Sequence, residues 1–476
     1  MTAIATRWRG RRRTGPGFGE GFDRRLIAPL VAGSLLNPIN SSMIAVALIP
    51  IGVALGESPA RTVWLVSALY LATAVGQPVV GRLVDLYGPR PLYLVGTALV
   101  GIAGTLGALA PSLGVLVAAR VLLGFGTCAG YPAAMFLIRS ESRRTGHDSP
   151  NGVLTILAVA SQTIAVVGPA LGGLLIGLAG WRTVFTVNIP LSLVCLVLGS
   201  RRLPRTPAPE REARGRRTSR VDLTGMALFA ATLTSLLLFL MSPQFGHLSL
   251  LALTAAAATG LVVRELRVVE PFIDPRSFVG NVPMLATFGR NLLTYVVSYA
   301  FIYGFTQWLE GGRGLTASQA GLALLPMFLT AIVVSTITGR HSAVRGKLLV
   351  GSAAQIVACA LLLVVHSGSS IWLLVVVGLV VGVPQGLNSL ANQNALYHQS
   401  DPARMGSSAG LLRTFMYLGA MVAAAANAAA FRHGATTAGL HHLALFMLCA
   451  AVPLLAATLL DRSLRRVGLP QETARP

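Results

Sequence analysis

Hydrophobic residues fill 54% of the 476 positions and charged residues only 11%, against roughly 25% charged in an ordinary soluble domain, which excludes a soluble globular chain. The formal net charge of +22 would suit a nucleic-acid binder only if the basic residues shared one solvated face. They fall instead in short stretches between apolar runs, so the expected partner is a lipid bilayer and not nucleic acid.

About 20 apolar residues cross a bilayer as a helix. By that ruler the chain holds fourteen predicted transmembrane helices, near 26–50, 64–84, 91–110, 113–138, 153–176, 182–199, 223–241, 247–263, 282–305, 318–338, 347–365, 371–396, 406–430 and 441–460. Ahead of them, Arg7, Arg9, Arg11, Arg12 and Arg13 stand in a segment with no apolar core, which predicts a basic tail over 1–25 and an uncleaved first span. In that span Asn37, Asn40, Ser41 and Ser42 interrupt an apolar helix, and Pro38 loosens its backbone hydrogen bonding.

Gly81-Arg82-Leu83-Val84-Asp85-Leu86-Tyr87-Gly88-Pro89-Arg90 is a charged turn between the second and third spans. Its glycines allow a tight reversal, and its Asp85 places a carboxylate at a helix end. In the fourth span Arg120 lies seven residues from the outer end, roughly 10 Å deep at 1.5 Å per residue. A charge in a span costs at least ~2.5 kcal/mol at its centre, so Arg120 is expected to face a cavity or a partner, or else to snorkel to the headgroups. Gln77, Tyr131 and Gln162 are further candidate cavity residues. In the fifth span Gly168-Pro169-Ala170-Leu171-Gly172-Gly173 combines a helix-kinking proline with glycines that permit close helix contact.

The stretch 200–222 is rich in arginine and proline with no apolar face, which predicts a cytoplasmic linker. Two helices follow over 223–263. Beyond them the turn recurs as Gly339-Arg340 with Gly346, an offset of 258 that also carries Gly124 onto Gly382. The second copy has Ala343 where the first has Asp85. The repeat predicts two six-helix bundles, 26–199 and 264–461, separated by two extra helices, with a short tail over 462–476. Candidate cavity residues of the second bundle are Arg290, Asn291, Tyr295, Gln385, Asn388, Asn392, Arg413 and Tyr417, each serving either substrate or interhelical hydrogen bonding.

Orientation follows from the basic residues. Thirty-one arginines and lysines fall on the side of the N-terminus, four on the opposite side and three inside spans. By the positive-inside rule both termini are cytoplasmic, and the expected location is the cell inner membrane. Cys128, Cys195, Cys359 and Cys449 all lie inside apolar runs with no paired spacing, so they read as packing residues and no metal site is expected. No nucleophile and base converge with a histidine; His441 and His442 are neighbours without acids. An enzyme is not expected.

The turn from Gly81 to Arg90 resembles the loop between the second and third helices of major facilitator superfamily transporters. The GPxxGG run resembles the antiporter motif of their drug-exporting members, although Ile164 stands where the fuller motif has a glycine; a packing seam is the other reading of it. Gly180-Trp181-Arg182, Phe185 and Asn188-Ile189-Pro190, then Asp222-Leu223-Thr224-Gly225 and Glu270-Pro271-Phe272-Ile273-Asp274, are similar to landmarks of the fourteen-span drug:proton antiporter branch. The resemblance implies an all-α membrane protein arranged 6+2+6, acting as a monomeric secondary exporter of small amphiphilic molecules by alternating access. It implies no bound cofactor and an ion gradient, of protons, as the energy source. By the same resemblance Arg120 takes the place of an arginine tied to proton transfer, and Asp85 would hold the start of the thirteenth span and keep the cytoplasmic gate shut.

One departure bears on mechanism. The branch has Leu-Asp-x-Thr in its first helix, whereas this chain reads Ile39-Asn40-Ser41-Ser42, and an asparagine carries no proton. Asp85 and Asp222 sit at cytoplasmic span ends, Glu310 at an outer end and Asp461 at the last exit. Arg120, Arg290 and Arg413 are therefore expected to lie in the membrane without a buried acid, which favours neutral or anionic compounds. A specific metabolite exporter without proton coupling and a non-transporting sensor on the same scaffold are the alternatives.

Overall fold

Each predicted apolar run is a helix in the structure. The computed structural model describes residues 23–145, 151–204, 222–241, 245–268, 271–273, 280–339, 343–465 and 467. The tail over 1–22, the linker over 205–221, Arg340 and residues 468–476 lie outside the described residues, so the readings made on them are not addressed by it.

The spans are α1 (Ile27–Leu55), α2 (Trp64–Tyr87), α3 (Pro89–Ala108), α4 (Leu113–Thr145, broken near Cys128), α5 (Asn151–Ala179), α6 (Thr183–Arg202), α7 (Leu223–Met241) and α8 (Leu248–Arg267). They continue with α9 (Val282–Gly311), α10 (Ala317–Thr338), α11 (Val344–Leu362), α12 (Ile371–Gln399), α13 (Met405–Ala430) and α14 (Thr437–Leu460). Among the described residues no strand is present. Thirteen of these helices are long and apolar enough to cross a membrane. The exception is α9, which spans 30 residues but carries Arg290, Asn291 and three tyrosines that lower its hydropathy.

Helix ends follow local chemistry. Thr316 and Gln319 form a reciprocal capping box at the start of α10, and Asn281, Ser370 and Thr436 cap α9, α12 and α14. Several helices outrun the apolar segment: α1 continues to Leu55 and stops only where Gly56 takes φ +66°.

Successive spans run antiparallel, so their ends form two faces, one carrying Asp85 and one opposite. On the opposite face the apolar core is split. One cluster joins residues between Met43 and Phe185, and a separate one joins residues between Val296 and Ala451. On the Asp85 face a single cluster runs from Leu26 through Tyr397 to Leu412. The two groups of helices are thus packed together at the Asp85 face and parted at the other.

The seam of that closed face is α2 against α13. Their backbones approach so closely that a methyl group on Gly81 would collide with the Gly406 carbonyl oxygen, and one on Gly410 with that of Gln77; one on Gly406 would lie 2.6 Å from the Gly81 oxygen. One turn further along, the Thr414 hydroxyl donates to the Ala74 carbonyl at 2.7 Å. The α7–α8 hairpin leans on this seam through Leu237, which packs with Ala74, Met416 and Met421. Its base is held by Asp222, which accepts from Gly225 N at 2.9 Å and pairs with Arg264 at 2.8 Å.

Gly410→Leu forces a side chain into this backbone contact and is expected to destabilise the purified protein by about 1–3 kcal/mol, read as a lower Tm. Gly346→Leu is the control, because no atom lies within 4 Å of a methyl placed there. Equal melting temperatures for the two variants would show that the seam does not need glycine.

Candidate functional site

Between the two groups of helices lies a cavity of about 580 Å³. Its walls come from α1, α2, α4 and α5 on one side and α9, α10, α12 and α13 on the other. Of the residues expected to line a path, Asn37, Ser41, Ser42, Tyr131, Gln162, Tyr295, Gln385, Arg413 and Tyr417 do so. Pro38 and Pro169 line it too, where prolines leave a helix short of backbone donors.

The polar groups of the lining are tied to one another, both within each wall and across the cleft. Tyr417 donates to Asn37 Oδ1 at 2.9 Å, while Asn37 Nδ2 donates to Thr127 at 3.0 Å. Gln162 Nε2 reaches the Gln385 carbonyl at 3.3 Å, and the hydroxyls of Tyr295 and Ser389 meet at 3.1 Å. Tyr70 and Tyr303 are hydroxyl to hydroxyl at 3.3 Å. Arg413 lies over the Tyr131 ring, 4.1 Å from its centroid. Six of the chain's nine tyrosines line this one cavity.

Three of the lining tyrosines, Tyr70, Tyr299 and Tyr303, were not among the candidates. Their signal is present in the sequence, since Tyr295, Tyr299 and Tyr303 recur every fourth residue and so share one stripe of α9. Glu310 continues the wall to the opposite face, where it is exposed. It is the one carboxylate among the lining residues.

Seven predicted cavity residues, Asn40, Gln77, Arg120, Arg290, Asn291, Asn388 and Asn392, are buried elsewhere. Arg120 is 1% exposed and donates from Nε to the Leu65 carbonyl at 2.8 Å and from Nη1 to the Asn40 carbonyl at 3.2 Å. It pins α4 to α1 and α2 behind the cavity. Asn40 forms a reciprocal amide pair with Asn188 of α6, at 2.6 and 2.9 Å, so the residue that replaces the family's acid is spent on helix packing. Asn388 donates to Gln355 of α11 at 2.9 Å.

Arg290 corrects a second expectation, that no acid accompanies the buried arginines. Its Nη1 meets Asp461 Oδ2 at 2.6 Å and its Nη2 the Thr287 hydroxyl at 2.7 Å. Asp461 ends α14 and folds beneath α9, 171 residues away in sequence, a distance over which spacing carries no signal. Burial pushes the Asp461 carboxyl up, but hydrogen bonds from Ser463 and Arg290 and the charge of Arg290 outweigh it and hold it below the usual carboxylate range.

The charged turn is where it was expected. Asp85 Oδ1 accepts from Gly406 N at 2.7 Å, and Oδ2 accepts from Ser407 N at 2.8 Å and Ser407 Oγ at 2.5 Å. The carboxylate therefore caps the N-terminus of α13 from another helix, where the helix dipole favours negative charge. Arg82 stands one turn before it on α2. Gly88 takes φ +90° at the reversal, and Arg90 Nη2 reaches the Ser200 carbonyl at the end of α6 at 2.7 Å. In the second copy Gly339 packs on Thr155 of α5, whereas Gly346 faces open space. Arg139 over the Tyr397 ring, at 4.7 Å, adds a further tie on this face.

In the GPxxGG run Gly168 lies hard against Ser42, and a methyl on Gly172 would come within 3.1 Å of the Met43 carbonyl. Both let α5 pack closely on α1. Gly173 has nothing within 4 Å of its missing Cβ, so it takes no part in that contact.

The family profile described as Major Facilitator Superfamily matches residues 30–424. The MFS-type transporter YwoD of Bacillus subtilis (strain 168) is 31% identical over 440 residues, covering 89% of this chain and 94% of the relative. The lincomycin resistance protein of Streptomyces lincolnensis is 29% identical over 401 residues, covering 81% of this chain and 79% of its own. Among solved structures, the human organic anion transporter MFSD10 (TETRAN) superposes with a TM-score of 0.64 at 16% identity, covering 90% of this chain and 99% of that one, a likeness of fold.

The amide pair yields a test. Asn188→Leu leaves the buried Asn40 amide without its side-chain partner, which costs about 1–3 kcal/mol, and the purified protein should melt at a lower temperature. Joint replacement by Asn40→Leu and Asn188→Leu should recover part of that loss; a double variant no better than the single one would argue against the pair.

Proposed function

The chain belongs to the major facilitator superfamily, a family of membrane transporters, and on that premise we propose that it exports small amphiphilic, drug-like molecules by alternating access. The observation that carries this reading is the cavity, closed at the Asp85 face by the α2–α13 seam and continuing to the exposed Glu310 at the other. Relatives named for antibiotic resistance support export of drug-like compounds. The distribution of arginines supports a cytoplasmic Asp85 face and cytoplasmic termini, in the cell inner membrane. The structure then corresponds to the state that has turned its cavity outward.

In this reading α1–α6 and α9–α14 move as two bodies. The seam holds the outward state, and transport requires it to part. Removing the interactions Asp85 makes with Gly406 and Ser407 biases the equilibrium between states by their differential energy. One chain contains the whole cavity, which supports action as a monomer. We assign the coupling ion as the proton and its carrier as Glu310, since Asn40 cannot titrate and Glu310 is the acid the cavity presents.

The test is accumulation of a labelled amphiphilic compound in cells that lack their main exporters. Expression of the chain should lower accumulation. Asp85→Asn, present in the membrane at the same level, should slow efflux by about tenfold, the effect of ~1.4 kcal/mol. Undiminished efflux by that variant would remove Asp85 from the gate. Glu310→Gln should abolish the sensitivity of efflux to a protonophore; a variant as sensitive as wild type would exclude Glu310 as the carrier.

A further inference from the structure

Of the three arginines deep within the spans, two are held between helices away from the cavity. Arg120 is spent on two backbone carbonyls, and Arg290 on Asp461 and Thr287. Arg413 differs. Its guanidinium lines the cavity and has no acidic partner among the described residues; its contacts are the face of Tyr131, at 4.1 Å, and the Met416 sulfur, at 3.5 Å. A thioether is a weak acceptor, and a ring face leaves the in-plane donors of a guanidinium unused.

The neighbourhood of Arg413 is aromatic. Tyr299 and Tyr303 stack at 5.5 Å with 27° between their planes, and Tyr295 continues the row at 5.9 Å and 32°. Across the cleft Tyr70 lies 5.6 Å from Tyr417, one turn along α13 from Arg413. The α9 row and the Tyr70–Tyr417 pair pack together as one aromatic wall of the cavity, with Arg413 toward its Asp85 end. Glu310 does not neutralise that cation. It lies 28 residues along α9 whereas Arg413 lies eight residues along α13, a difference in depth of about 30 Å at 1.5 Å per residue.

We propose that the cavity binds planar aromatic anions, with the ring system against this tyrosine wall and the anionic group on the in-plane donors of Arg413. The proposal rests on the export reading and specifies its substrate class. A carboxylate matches the planar fork of a guanidinium in a bidentate arrangement. An aromatic cation would gain from the ring faces but would bring its charge toward an unpaired guanidinium.

The test compares three probes with one ring system on the purified full-length chain: 9-anthroate, its neutral primary amide and 9-(aminomethyl)anthracene. Calorimetric titration should give a Kd for anthroate at least tenfold below those of the amide and the amine, corresponding to one charge-assisted hydrogen-bonded contact. Arg413→Gln should weaken anthroate at least tenfold more than it weakens the amide, and Arg413→Lys should fall between. Preference for the amine, no binding of anthroate, or equal losses for anthroate and amide in Arg413→Gln would each overturn the proposal. Binding of the amide by the variant shows that its cavity is intact. The cellular accumulation assay judges export separately, so a transporter that prefers cations would fail here and pass there.

Discussion

The structure depends on one carboxylate placed at the start of a helix that is not its own. Asp85 ends α2 and receives the first free N–H groups of α13, from Gly406 and Ser407, together with the Ser407 hydroxyl. Those donors have no partner within α13, so the contact satisfies both helices at once. It forms only because Gly81, Gly406 and Gly410 allow the two backbones to touch. Any side chain there would hold the carboxylate out of reach, and the shared apolar core of this face would part.

Around that contact the buried polar groups divide into those that fasten helices and those that face the cavity. Arg120, Asn40, Asn188 and Asn388 fasten. Asn37, Gln162, Arg413 and the tyrosines face inward. The division has a physical logic: a group between helices of one packed group is held by protein partners, since leaving it unpaired is costly there, whereas a group in the cavity can leave valences for a ligand. Arg413 is the clearest case of a valence left over, and the reciprocal Asn40–Asn188 pair the clearest case of none.

Much of the fold was legible in the sequence, because a span of the bilayer requires a length of apolar residues that a simple count detects. The charged turn was legible for a related reason, as glycine and a lone acid at the edge of an apolar run have few structural uses. The site was only partly so. A polar residue in mid-span signals that it needs a partner but not on which side of the helix the partner lies, so Arg120 and Asn388 looked like cavity residues and are packing residues. Asp461 looked like an exit charge because its partner Arg290 is 171 positions away. The stripe of Tyr295, Tyr299 and Tyr303 was readable by its four-residue spacing, and tyrosine's apolar ring let it pass for ordinary helix filling.

The claim at the centre is that the two faces open in alternation, with the Asp85 contact holding one of them shut. Paired spin labels measure this directly, one pair at Arg143 and Ala403 on the Asp85 face and another at Arg182 and His433 on the opposite face. In the protein with Asp85 intact, the first pair should give one short, narrow distance and the second a longer one. Asp85→Asn should lengthen the first and shorten the second together. Distances on the Asp85 face that do not change in that variant, or two pairs that change independently, would contradict alternation governed by this contact.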